Sequence, residues 1–207
     1  MVFAIDLEGV LSPEIWPALG THFDLPELAL TTRDIGDFDE LMRRRVAATR
    51  SRNLSLEALQ RVAHGVEPFL GAREFLERLR GMGQVLIISD TFHEFAEPLT
   101  RKLGGHSMFA NRFELDAEGR LEGFKLRIRG QKEKIVSGFH AAGFNVAALG
   151  DSLNDLSILR ACDFPVLYRP VEALAKEFPD APRAVNLDDA LAHLEAGARR
   201  FERNGGR

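Results

Sequence analysis

Apolar residues fall along the chain in two periods. Short unbroken runs occur at Phe3-Ala4-Ile5, Val85-Leu86-Ile87-Ile88, Val146-Ala147-Ala148-Leu149 and Pro165-Val166-Leu167-Tyr168. Each is bounded by turn residues and reads as a buried strand. Between the runs the spacing becomes helical. Residues 71–80 place Phe75, Leu76 and Leu79 on one face, and Gly81-Met82-Gly83 stops them. Residues 132–142 do the same with Ile135, Val136 and Phe139 before Gly143. Further helices are predicted over 94–103, 155–161 and 187–200, with a frayed tail at Asn204-Gly205-Gly206-Arg207. Residues 109–128 contain Glu114-Leu115-Asp116, a turn at Ala117-Glu118-Gly119 and alternation after it, which predicts an antiparallel hairpin.

The stretch from Ser12 to about residue 70 has no convincing strand. Pro13-Glu14-Ile15-Trp16-Pro17 reads as a helix start with proline in the first turn. Residues 28–37 read as a loop. Asp37-Phe38-Asp39-Glu40 leads into a helix through Arg43-Arg44-Arg45-Val46. Leu56, Leu59 and Val62 form another, with Ser55 as its cap. The chain is therefore expected to be α/β. Residues 1–12 and 71–207 are expected to form its core domain, with a helical insertion of residues 13–70 after the first strand.

Composition narrows the class without naming a chemistry. With 207 residues, 45% hydrophobic and 28% charged, the chain is ordinary for a soluble globular protein. A net charge of -4 supplies no basic field for nucleic acid. The one cysteine, Cys162, sits among apolar residues and reads as a buried packing residue, compatible with a reducing compartment. Neither a signal peptide nor a run of membrane-spanning length is seen, so a cytoplasmic protein is expected.

Chemistry gathers at the ends of strands. Asp6 and Glu8 follow the first, Ser89, Asp90 and Thr91 the second, and Gly150, Asp151, Asn154 and Asp155 a third. In a parallel sheet with helical crossovers these tips share one edge. Carboxylates from two strands suit a hard cation, with Mg²⁺ the natural choice for phosphate chemistry. A hydroxyl and backbone N–H groups at a strand-to-helix turn suit phosphate oxygens. A lysine near a helix start adds positive charge; Lys132 is favoured over Lys134 because it lies nearer that start. A carboxylate can attack phosphorus and form an aspartyl-phosphate.

Asp6-Leu7-Glu8-Gly9-Val10, Ser89-Asp90-Thr91, Lys132 and Gly150-Asp151-Ser152-Leu153-Asn154-Asp155 resemble, in order and spacing, the four motifs of the haloacid dehalogenase superfamily of phosphatases. The helical insertion resembles the C1-type cap of its phosphoserine phosphatase branch. That resemblance implies a Rossmann-like parallel core and a Mg²⁺-dependent phosphatase acting on phosphoserine, with homoserine as a possible phosphoryl acceptor. It also implies roles. Asp6 would be the nucleophile and Glu8 the general acid and base. Asp6, Asp151 and the Glu8 carbonyl would hold Mg²⁺, with Asp155 just behind them. Ser89, the Thr91 N–H, Lys132 and Asn154 would surround the phosphate. In the cap, Arg45 would meet the substrate carboxylate, with Phe38 beside it, and Glu14 the substrate ammonium.

Plainer readings compete at several positions. Arg43, Arg44 and Arg45 also fit a solvated helix face, Glu14 an exposed first-turn acid, and Asn154 a helix cap. Asp90 reads as a turn residue, His93 as structural or exposed, and Trp16 as packing. Another small phosphorylated metabolite could be the substrate. A receiver-type signalling module shares the acidic cluster, but places its phosphorylated aspartate on a middle strand and needs no lid. A homodimer is compatible, but the sequence leaves the oligomeric state open.

Overall fold

The computed structural model describes residues 1–127 and 131–204. In chain order, β1 (Val2–Ile5) is followed by α1 (Ile15–Phe23), α2 (Pro26–Ala29), α3 (Phe38–Ser51), α4 (Leu56–Ala63) and α5 (Ala72–Arg80). Then come β2 (Gln84–Phe92), α6 (His93–Lys102), β3 (Ser107–Leu115), β4 (Leu121–Lys125) and α7 (Lys132–Ala141). The chain ends with β5 (Val146–Gly150), α8 (Leu156–Ala161), β6 (Phe164–Tyr168), α9 (Glu172–Glu177), β7 (Arg183–Ala184) and α10 (Leu187–Asn204). The sheet order is β4-β3-β2-β1-β5-β6-β7. All neighbours are parallel except β3 and β4.

β1 lies between β2 and β5, and all four of its residues are buried. This is why it reads as an unbroken apolar run: both faces of a central strand are covered. Alternation still divides its side chains. Phe3 and Ile5 join Phe75, Leu76, Leu79 and Leu194 on one face. Val2 and Ala4 join Val136, Ile158 and Leu174 on the other. The result is a sheet with a helical layer on each side.

Helices α1–α4 build a separate apolar cluster that closes on β2, α6 and the β3–β4 hairpin. Trp16 lies edge-on to Phe95 at 5.3 Å and to Phe113 at 6.1 Å between centroids, while Phe92 and Phe113 stack at 3.9 Å. The hairpin turn is bonded to the same helices. The Leu56 N–H donates to Gly119 O at 2.8 Å, and Arg50 Nη1 reaches Asp116 Oδ2 at 3.1 Å. Trp16 is only 4% exposed and is the one tryptophan. Trp16→Ala is expected to cost about 3–5 kcal/mol in urea unfolding. A loss below about 1 kcal/mol would show that these rings do not hold α1 to the sheet.

Local signals explain several boundaries. The Asp37 carboxylate accepts from the Asp39 and Glu40 N–H groups at 2.9 and 3.2 Å and starts α3. Ser55 caps α4 as expected, accepting from the Ala58 N–H at 3.3 Å. Other boundaries shift. The hairpin's first strand begins at Ser107 rather than 109, because its leading half pairs in parallel with β2. The last residue of the predicted hairpin, Ile128, lies outside the described residues. α10 runs on to Asn204, and residues 205–207 also lie outside. The expected 155–161 helix is preceded by a 3-10 turn over Leu153–Asp155. The loop expected over 28–37 begins two residues late, since Leu28 and Ala29 close α2. Cys162 is half-buried beside the second apolar face, and burial pushes its thiol up to about 12. Among the described residues, no helix is long and apolar enough to cross a membrane.

Candidate active site

The carboxyl ends of β1, β2 and β5 face one cleft, roofed by α1, α3 and the 30–37 segment. Asp6 follows β1 directly, and its N–H donates to Leu149 O of β5 at 3.0 Å. The chain then turns through Gly9 at φ +87°. A Cβ at Gly9 would lie 2.5 Å from Asp151 Oδ2, so this position must be glycine for β5 to bring Asp151 beside Asp6. Gly150 is constrained in the same way, since its Cβ would meet the Asp155 side chain at 2.5 Å.

Lys132, 2% exposed at the start of α7, is the electrostatic centre of the site. Its Nζ lies 2.8 Å from Asp155 Oδ1, 2.9 Å from Asp90 Oδ2 and 3.8 Å from Asp6 Oδ1. Burial alone would lower the lysine's pKa, but these three acids outweigh it and hold it well above the usual range. Lys134 instead reaches Gln131 Oε1 at 3.2 Å on the surface. Burial, then the Asp155 charge, raises Asp6 well above the ordinary carboxylate range, with Lys132 pulling the other way. Asp151 is pushed up to about 7, again by burial first and Asp155 second.

The acids divide by what else they touch. Asp155 is 1% exposed and fully engaged. Its Oδ1 accepts from Lys132, and its Oδ2 accepts from the Asp151 N–H at 3.1 Å and the Ser152 N–H at 3.4 Å. It closes a capping box with Ser152, so Ser152 rather than Asn154 caps this turn. Asp6, Asp151 and Asp155 each offer a carboxylate oxygen within 4.8 Å of the others. An all-oxygen acidic donor set fits a hard divalent cation. Because Asp155 is occupied, Asp6 and Asp151 are the carboxylates open to such an ion.

Glu8 links sheet and roof. Its Oε1 accepts the Ile15 N–H at 2.6 Å, so a side chain from the β1 tip satisfies the first amide of α1. Burial raises its pKa, with the Ile15 N–H opposing. Ser89 and Thr91 are buried at the end of β2, and the Thr91 N–H donates to Ser89 Oγ at 3.4 Å.

The three adjacent arginines part company. Arg43 and Arg44 are exposed and pair with Glu40. Arg45 is 4% exposed, with its guanidinium 4.6 Å from the Trp16 ring centroid. Its Nη2 donates to Leu30 O at 2.6 Å, while Nε is buried with no partner among the described residues. Burial pushes its pKa down to about 10, opposed by Glu8 and Glu14.

The cleft thus gathers Asp6, Glu8, Ser89, Thr91, Lys132, Asp151 and Asn154 from the sheet edge, and Glu14, Phe38 and Arg45 from the roof. Asp155 stands behind them. Among the contributors that were not anticipated are Asp90, Arg33 and Trp16. Asp90 is more than a turn residue, because it pairs with Lys132. Its place between Ser89 and Thr91 was the available signal. Arg33 approaches Asp151 from an exposed loop that carries no periodic signal. Trp16, expected only to pack, also lines the cleft.

The chain has relatives among known proteins. The haloacid dehalogenase-like hydrolase family matches residues 2–163. Phosphoserine phosphatase ThrH of Pseudomonas aeruginosa is 38% identical over 188 residues, spanning 91% of this chain and 92% of that protein. A phosphoserine phosphatase of Pseudomonas syringae pv. tomato is 37% identical over 188 residues, spanning 91% of this chain and 79% of that one. A crystal structure of phosphoserine phosphatase in apo form superposes with a TM-score of 0.77 at 21% identity, covering 93% of this chain and 98% of the other. The match over most of the sheet and its acidic edge, together with a 38% identical relative aligned over 92% of its length, makes this chain a member of the haloacid dehalogenase-like hydrolase family.

Proposed function

We propose that this hydrolase is a Mg²⁺-dependent phosphoserine phosphatase working through a phosphorylated Asp6, with residues 13–70 acting as its cap domain. The supporting observation is that Asp6, Asp90 and Asp155 surround a single buried lysine, with Asp151 beside Asp6 and Asp155, more acid than one ammonium neutralises. Asp6, Asp151 and the Glu8 carbonyl would hold Mg²⁺. When bound, the ion supplies positive charge to a phosphoryl group at the site.

Each protein group then has one task. An Asp6 carboxylate oxygen attacks phosphorus while the bond from phosphorus to the serine oxygen breaks. Glu8, whose pKa burial raises above the ordinary carboxylate value, gives a proton to that oxygen. Glu8 then takes a proton from water as the water oxygen attacks phosphorus, and the bond to Asp6 breaks to release phosphate. An alcohol such as homoserine attacking in place of water would turn hydrolysis into transfer. Ser89, the Thr91 N–H, Lys132 and Asn154 would orient the phosphoryl oxygens.

The substrate assignment draws on the relatives' names and on the roof. Arg45 brings a buried N–H with no acceptor among the described residues, and such a donor carries an unmet desolvation cost until an anion arrives. Glu14 lines the same cleft with the opposite charge. A carboxylate and an ammonium on one small molecule complement the pair, with Phe38 beside them. A lone cysteine suits a cytoplasmic enzyme.

A phosphate-release screen over phosphorylated amino acids and sugars, with Mg²⁺ and with or without homoserine, tests the reading. Phosphoserine should lead, and a preferred sugar phosphate would overturn the assignment. Arg45→Ala should lower kcat/KM for phosphoserine by roughly 10²-fold. A phosphate ester lacking a carboxylate should change far less, and equal losses on both would refute the role of Arg45.

A further inference from the structure

The segment between α2 and α3 is folded into a tight turn. The Thr31 N–H and hydroxyl donate to Asp34 Oδ2 at 2.8 and 3.0 Å. The Arg33 N–H donates to Thr31 Oγ1 at 3.2 Å, and the Asp34 and Ile35 N–H groups both reach Thr31 O at 3.0 Å. The turn carries Arg33 across the mouth of the cleft. Its Nη2 lies 3.9 Å from Asp151 Oδ2, although the Arg33 side chain is 63% exposed and Asp151 only 13%.

At this distance the contact is charge attraction without a hydrogen bond. Asp151 has few other sources of positive charge. Lys132 is held by Asp155 and Asp90, and Arg45 is held by Leu30 O and the Trp16 ring. Among the described cations lining the cleft, Arg33 is the one paired with Asp151. A bulk-exposed guanidinium thus partners an acid that is otherwise buried among acids.

We propose that Arg33 is an internal counter-ion for the cation site: it neutralises Asp151 while the site is empty, and a divalent cation must displace it to bind. The inference rests on the Mg²⁺ reading above. Two positive groups cannot share one carboxylate oxygen without mutual repulsion, so the energy of the Arg33–Asp151 pair is subtracted from cation affinity. The pair is exposed on one side, which keeps this penalty small and sensitive to salt.

Titration calorimetry with Mg²⁺ at low ionic strength tests the proposal, with no substrate present. Arg33→Gln should bind Mg²⁺ about three- to tenfold more tightly than the unaltered protein. Arg43→Gln removes the same charge from the roof at a site paired with Glu40, and should shift the Kd by less than about twofold. Equal affinity in Arg33→Gln and the unaltered protein would overturn the counter-ion role. So would an equal gain in Arg43→Gln, since that would reflect overall charge. If none of the three proteins binds Mg²⁺, the cation reading fails and the counter-ion role fails with it.

Discussion

Asp6→Asn is expected to abolish phosphate release from phosphoserine, by at least about 10³- to 10⁴-fold in kcat. An amide oxygen is a poor nucleophile, and no other acid stands in its place. Asp151 is the remaining open carboxylate, but it is paired with Arg33 at 3.9 Å and projects from a different strand. Asp155 has both oxygens engaged. The loss should not come from unfolding. Asp6 is 9% exposed and crowded by Asp155 and Asp151, so replacing its charge with an amide relieves repulsion. Thermal melting should hold steady or rise. Beryllium fluoride should trap an adduct on Asp6 of the unaltered protein and none on the variant. An adduct on another residue, or substantial residual turnover, would refute the nucleophile assignment.

Lys132→Met is expected to produce the second largest effect, in stability as well as rate. Methionine keeps the length and apolar stem while removing the ammonium. Three carboxylates then lose the cation that lies 2.8, 2.9 and 3.8 Å from them. Breaking a buried charge network by removing one partner typically costs about 3–5 kcal/mol. Turnover should fall roughly 10²- to 10³-fold, because the positive group proposed to orient the phosphoryl oxygens is gone. Mg²⁺ offers an informative control. It should raise the melting temperature of Lys132→Met more than that of the unaltered protein, since the uncompensated acids then depend on it. Lys134→Met, on the surface, should change stability by no more than about 0.5 kcal/mol and leave turnover intact. A variant at Lys132 as stable and active as one at Lys134 would show that the buried lysine is incidental.

Elements were legible in proportion to their length and burial. The central strands and the long amphipathic helices announced themselves, because each repeats one choice, apolar against polar, at a fixed period. α2 and β7 did not, since four and two residues are too few to show a period, and α9 was missed although α8, equally six residues long, was read. They form because neighbours supply partners. β7 exists by pairing Arg183 and Ala184 with the end of β6. The hairpin was recognised from its turn and alternation, but not its parallel attachment to β2, which depends on a strand distant in sequence.

The site followed the same division. Sequence alone determined that acids, hydroxyls and glycines stand at the ends of three buried strands, and that a helical insertion follows the first. Those properties are local, written in apolar runs and in the residues that end them. Tertiary structure decided how these groups are used. It set Asp90 against Lys132, turned Asp155 inward to both Lys132 and the Asp151 amide, and let Glu8 hold the first amide of α1. It buried Arg45 while leaving Arg43 and Arg44 in solvent, though the three are consecutive. It also carried Arg33 to Asp151, 118 positions away (151 minus 33). Pairing between charged groups depends on distance and solvent exclusion in three dimensions, and neither can be read from residue type or spacing until the crossovers have folded.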